Sequence, residues 1–149
     1  MAYDPFCDSG IYEEVFLETD HFIAVLNIHP ILPGHTLVVP KRHVLEITEL
    51  SGEEMADMGT MLGRLLPKLL KEYGTDSYNM AINTGKIAGM SVAHMHLHVV
   101  PRHMSDVFRK EGVDALYEEL EKEGRPLARD FKEEIARMRK LFRYEAAKR

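Results

Sequence analysis

A chain of 149 residues, 45% hydrophobic and 29% charged, is the size of one globular domain and too apolar for a disordered tail. A single Cys excludes an internal disulfide, no apolar run reaches the roughly 18–20 residues of a membrane span, and no basic start leads into an apolar stretch, so the expected location is the cytoplasm. The formal net charge of −5 argues against a general nucleic-acid binder, which would need a basic surface, but not against a small anionic ligand held in a local site.

One domain is expected over 1–149, with 1–10 a polar, turn-rich N-terminal segment and 103–149 a charged helical C-terminal region. Val15 to Leu17, His21 to Leu26 and His35 to Val39 are short, rich in β-branched residues and separated by turn signals at Thr19-Asp20 and Pro33-Gly34, which predicts an antiparallel meander. Ser51-Gly52-Glu53-Glu54 has the form of a capping box. Apolar residues follow at helical spacing from Met55 to Leu69, with Gly74 as a stop, so one long amphipathic helix is predicted, bent at Pro67. Tyr78 to Asn83 and Ala93 to Val100 read as two more strands, with the Gly85 to Gly89 loop between them and Pro101 closing the second. Asp114 to Glu121 and Phe131 to Tyr144 read as charged helices. Strands first and helices around them make an α+β fold on an antiparallel five-stranded sheet, with one long helix and C-terminal helices.

His94, His96 and His98 alternate with Met95, Leu97 and Val99. On a strand this pattern projects three imidazoles from one face and sends the apolar residues into the core. A shared metal is one reading of such a row, because His is a common ligand. However, His94 and His98 would start roughly 13 Å apart at strand rise, too far to converge easily on an ion bound at about 2.0–2.1 Å. His96 alone has both others as neighbours, which suits it to be a nucleophile with two helpers. The run from Asn83 to Ser91 supplies an amide, a hydroxyl, flexible glycines and backbone N–H groups, donors suited to a phosphate. Val25 and Asn27 share one strand face and His35 and Leu37 another, so a paired hairpin can present both sets to one pocket.

His94-Met95-His96-Leu97-His98-Val99-Val100 matches the signature of the histidine triad (HIT) superfamily. The loop from Asn83 through Ser91, Asn27, Pro33-Gly34-His35 and Pro40-Lys41-Arg42-His43 resemble the same family, and Ser105 to Leu120 is similar to its fragile-histidine-triad (Fhit) branch. The resemblance implies a HIT fold over the whole chain and hydrolysis of a dinucleoside polyphosphate at the α-phosphate. His96 would form a nucleotidyl-histidine intermediate, His98 would support the phosphate oxygens, and His94 would order the strand, a backbone carbonyl of this segment fixing the His96 tautomer. It further implies a substrate-binding set. Asn27 would reach the ribose, Val25 and Leu37 would wall the base or simply fill the sheet core, and Asn83, Gly89 and Ser91 would face the phosphates or leaving group, with His35 alongside. Homodimerisation is a family expectation.

Two departures stand out. Relatives often carry a Cys-x-x-Cys near the N-terminus that joins two His in a structural zinc site, whereas here the run is Asp4-Pro5-Phe6-Cys7. Asp4, Cys7, His43 and His94 could still make four ligands, but a metal-free structural Cys7 is the favoured reading, with no tightly bound cofactor and Mg2+ at most accompanying the substrate. Met90 stands where relatives often carry Gln. The rival functions are a HIT phosphoramidase, a phosphorolytic nucleotidyltransferase, a nucleotide-binding signalling module and a zinc-binding structural module. The absence of Trp weighs against the phosphoramidase branch.

Overall fold

The β-branched runs fold into five strands in the computed structural model, which describes residues 3–106 and 130–146. They are β1 (Val15–Glu18), β2 (Phe22–Leu26), β3 (Thr36–Pro40), β4 (Ser77–Ile82) and β5 (Leu97–Arg102), with helices α1 (Gly52–Glu72) and α2 (Phe131–Phe142). The strands form one antiparallel sheet in the order β1-β2-β3-β5-β4. The α1 crossover therefore carries the chain to the far edge, and β5 returns to fill the place beside β3. The expected α+β architecture is present.

β2 and β3 are buried on both faces, which explains their nearly unbroken apolar sequence. One face packs Phe16, Ala24, Leu26, Val38, Leu97 and Val99 against Met61, Leu65 and Leu69 of α1 and Ile135, Met138 and Phe142 of α2. Burying each such large side chain contributes on the order of 1.5–3 kcal/mol. The opposite face gathers Val15, Ile23, Val25, Leu37 and Val39 under Ile11 and Phe6 of the N-terminal segment. That second face carries the cleft described below.

The capping box is formed: Ser51 Oγ accepts from the Glu54 N–H at 3.1 Å, and the Glu54 carboxylate accepts from the Ser51 N–H at 2.7 Å. α1 continues as one helix through Pro67. α2 is capped by Asp130, which accepts from the Lys132 and Glu133 amides. Gly34 turns the chain between β2 and β3 at φ +86°, and a Cβ there would lie 2.8 Å from the Tyr73 ring, so only glycine fits.

One strand differs from expectation. β5 begins at Leu97 rather than Ala93, and it continues through Pro101 to Arg102. Before it the backbone bends, with the His94 N–H donating to Val92 O at 2.8 Å and the Met95 N–H to Val44 O at 2.7 Å. Bonds to these partners replace the β ladder, so of the three histidines only His98 lies within a strand. The Asp114 to Glu121 helix lies outside the described residues.

Candidate active site

Cross-strand register sets the site. Val15 pairs with Val25, Val25 with Leu37, Leu37 with His98, and His98 with Ala81, so these residues form one row across the sheet. Above the row lies a cleft of about 790 Å³, walled by the sheet and by the N-terminal segment. That volume is in the range of small-ligand sites. His96, His98, His35, Asn27, Val25, Leu37 and Ser91 all line it.

The histidines form a connected series. The His96 and His98 rings lie 4.9 Å apart and the His98 and His35 rings 5.2 Å apart. His35 Nε2 lies 2.9 Å from His98 Nδ1. All three are buried, and burial holds them neutral. It is the main force pushing His98 down to about 3, with the His96 charge adding to it. Burial lowers His35 as well, followed by the charges of His98 and His96. For His96, burial outweighs the opposing hydrogen bond to the His94 carbonyl, and the net shift is downward.

A neutral imidazole carries one proton, and its hydrogen bonds decide where. The Ile31 N–H donates to His35 Nδ1 at 3.2 Å, so the His35 proton is on Nε2 and is donated to His98 Nδ1. The approach of Asn27 Nδ2 to the same nitrogen, at 3.4 Å, is too long to compete. His98 must then carry its own proton on Nε2, as a donor. His96 Nδ1 donates to the His94 carbonyl at 2.8 Å, which leaves Nε2 of His96 as an unprotonated lone pair. The site thus holds a nucleophilic nitrogen beside a fixed N–H donor.

His94 belongs to a different cluster. Its Nε2 meets the Pro40 carbonyl at 2.8 Å, while Nδ1 faces Asp4 Oδ2 at 2.9 Å and Cys7 Sγ at 3.5 Å. His43 Nδ1 joins them, 2.8 Å from Asp4 Oδ2 and 3.7 Å from Cys7 Sγ. One ligand atom from each of the four residues lies within 4.8 Å of the others. Tetrahedral zinc with bonds of about 2.0–2.3 Å requires ligand separations of roughly 3.3–3.8 Å. The two sulfur–nitrogen distances fall in that range, and the two carboxylate distances are shorter, as hydrogen bonds are. Both nitrogens of the fully buried His94 are thus engaged, Nε2 by the Pro40 carbonyl and Nδ1 by Asp4 and Cys7. Without metal, the Asp4 hydrogen bond, then burial, pushes the Cys7 thiol up to about 11. The donor set, one carboxylate, one sulfur and two imidazoles, fits zinc.

Among the other expected site residues, Asn83 is buried and neither it nor Gly89 lines the cleft. Gly89 instead ends a turn at φ +84°, where a glycine is favoured. Met90 is not a cleft residue either. Its N–H is tied to Gly85 O at 3.1 Å. The sequence reading missed the N-terminal wall. The Phe6 ring lies tilted 5.3 Å from His96 and edge-on 5.6 Å from His94, and Ile11 and Glu14 also line the cleft. Cys7, tied to His43 and His94 far along the chain, was the one signal that this segment folds back over the sheet.

Residues 9–105 match the HIT domain family. The chain is 36% identical over 130 residues to a bis(5'-adenosyl)-triphosphatase of Dictyostelium discoideum, covering 87% of this chain and 85% of that protein. It is 36% identical over 109 residues to an asymmetrical bis(5'-nucleosyl)-tetraphosphatase of Schizosaccharomyces pombe, covering 73% of this chain and 58% of that protein. The crystal structure of a Zn-bound histidine triad family protein from Mycobacterium smegmatis superposes with a TM-score of 0.65 at 31% identity, covering 87% of this chain and 83% of that one. With its histidine row, its sheet order and the match over most of its length, the chain belongs to the HIT domain family.

Proposed function

We propose that the chain is a nucleotide hydrolase that cleaves dinucleoside polyphosphates at the α-phosphate through a nucleotidyl-His96 intermediate. The observation that carries this reading is the pair of opposite tautomers, His96 with a bare Nε2 beside His98 with a proton on Nε2. His96 Nε2 attacks the α-phosphorus, forming an N–P bond as the P–O bond to the remaining phosphates breaks and the leaving group departs with that electron pair. His98 donates to a non-bridging oxygen as charge spreads over the phosphoryl group. Water then attacks phosphorus, the N–P bond breaks, and nucleoside monophosphate is released. The water's proton goes to the His96 nitrogen or to the departing phosphate. Asn27 is the ribose contact, Ser91 the phosphate contact, and Val25 and Leu37 the floor under the base. His35 acts through His98 as a positioning residue. The substrate class is supported by relatives named for cleaving a bis-adenosyl triphosphate and a bis-nucleosyl tetraphosphate.

Zinc held by Asp4, Cys7, His43 and His94 is part of the same reading, and its contribution is structural. Bound there, it would pin the N-terminal segment against the bend that carries His94. Mg2+ would enter with the substrate, offsetting its charge. A homodimer through β4 is supported by the exposure of Tyr78 and Met80 on that edge strand, which pairs only with β5 among the described residues. No helix among the described residues is long and apolar enough to cross a membrane. A cytoplasmic location is our proposal.

The test is rapid-quench mass spectrometry with a dinucleoside polyphosphate. The expected result is the protein plus one nucleotidyl group on His96. His96→Ala should lose the adduct and several orders of magnitude in turnover while keeping nucleotide affinity. Activity within about tenfold of the parent would sink the covalent step. Running the reaction with added phosphate separates hydrolysis from phosphorolysis: hydrolysis still releases nucleoside monophosphate, whereas phosphorolysis replaces that monophosphate with a nucleoside diphosphate.

A further inference from the structure

We propose that Glu14 reads the nucleobase and gives this site a preference for guanine over adenine. The inference rests on the hydrolase reading, since it takes the cleft beyond the histidines as the nucleoside site. From His98 the sheet row runs through Leu37 and Val25 to Val15. At about 4.7–4.9 Å per strand, Val25 and Val15 lie roughly 10 and 14 Å from His98. A nucleotide with its phosphorus at His96 and its ribose at Asn27 therefore lays its base over the apolar end of the row, with the Watson–Crick edge pointing past Val15. Glu14 immediately precedes Val15 and lines the cleft there.

Glu14 is well placed to act on that edge. Its backbone is fixed where a short 3-10 turn enters β1, with its N–H donating to Ile11 O at 2.9 Å. From the other side, the Arg139 guanidinium donates to the carbonyls of Tyr12, Glu13 and Val15, clamping both flanks of the residue. Among the described residues none donates to the Glu14 carboxylate. It is half-buried, and burial first, then the like charge of Glu13, raises its carboxyl above the usual range. A carboxylate held partly out of water, with no donor among the described residues, carries a cost that a ligand with matching donors removes.

An ionised carboxylate only accepts hydrogen bonds. Guanine offers two adjacent donors, N1–H and the 2-amino group, which two carboxylate oxygens can take side by side. Adenine offers its 6-amino group next to an N1 lone pair, which faces the second oxygen as a repulsion. A good bidentate pair discriminates between bases by about 1–3 kcal/mol, or about 5- to 150-fold. A half-exposed site belongs near the lower end.

The experiment is calorimetric binding of GMP, IMP and AMP to the full chain, with kcat/KM for diguanosine and diadenosine triphosphates measured alongside. GMP should bind about tenfold tighter than AMP, with IMP, which lacks the 2-amino donor, in between. Glu14→Ala should bring the guanine-to-adenine ratio close to one. Glu14→Gln should also narrow it, because an amide pairs bidentately with either base, with adenine through N1 and the 6-amino group and with guanine through N1–H and O6. A wild-type ratio near one, or a ratio unmoved by both variants, overturns the proposal. Failure of the hydrolase reading shows separately, as no turnover of either dinucleotide whatever the binding ratio.

Discussion

One proton assignment at Ile31 propagates through two histidines into the cleft. Because His35 accepts from the Ile31 N–H, it must donate to His98, and His98 is left with its own proton on Nε2. The same burial that keeps these rings neutral links them to stability. His98 is held at about 3 when folded, against about 6.5 in the unfolded chain. Between those values the unfolded state binds a proton that the folded state refuses, so its stabilisation is complete above about pH 6.5 and is lost as pH falls toward 3. Urea unfolding should therefore weaken steadily below about pH 6.5, each such histidine adding at most about 1.4 kcal/mol per pH unit. His98→Gln cannot take up that proton and should show a shallower slope. Parallel slopes for parent and variant would mean that His98 titrates alike in both states.

The elements were legible wherever local chemistry decides them. Ser51 and Glu54 announce the start of α1 because the cap is built from residues three apart, and both bonds are present. Arg42 adds a pair of hydrogen bonds to the same Glu54 carboxylate, each at 2.9 Å, so the cap also ties the segment after β3 to the helix. Ser51→Ala should cost about 1 kcal/mol and lower the melting temperature without changing KM. An unchanged melting temperature would mean that Arg42 alone holds the helix start. The beginning of β5 was not legible, because alternation of His with apolar residues looks the same in a strand and in an extended bend. What separates them is the hydrogen bond from Met95 to Val44, a contact set by the rest of the fold. The β1 register carries an irregularity between Val15 and Leu17 for a similar reason, and it places both Phe16 and Leu17 in the main core.

Across the whole molecule, the sheet and its histidines could be read from pattern, but the wall of the site could not. Residues 4–7 carry no periodicity, and their place is decided by contacts with His43 and His94, which are 36 to 90 positions away in the chain. Phe6 rides on this anchor and covers His96, so the Asp4 cluster governs how closed the catalytic end of the cleft is. If zinc completes the cluster, folding and metal binding are coupled, because the ligands lie in three separated parts of the chain. Purified protein should then carry close to one zinc, and a chelator should lower the melting temperature and raise KM as Phe6 loosens. Cys7→Ala should abolish the chelator effect by removing the metal beforehand. Asp4→Cys should strengthen zinc retention, since a second thiolate replaces a harder oxygen at a site that already presents sulfur and imidazole. The distinguishing measurement is zinc retained under increasing chelator, with the order Asp4→Cys above parent above Cys7→Ala. Equal, substoichiometric zinc in all three, with melting temperatures indifferent to chelator, would leave hydrogen bonds alone as the anchor of the wall.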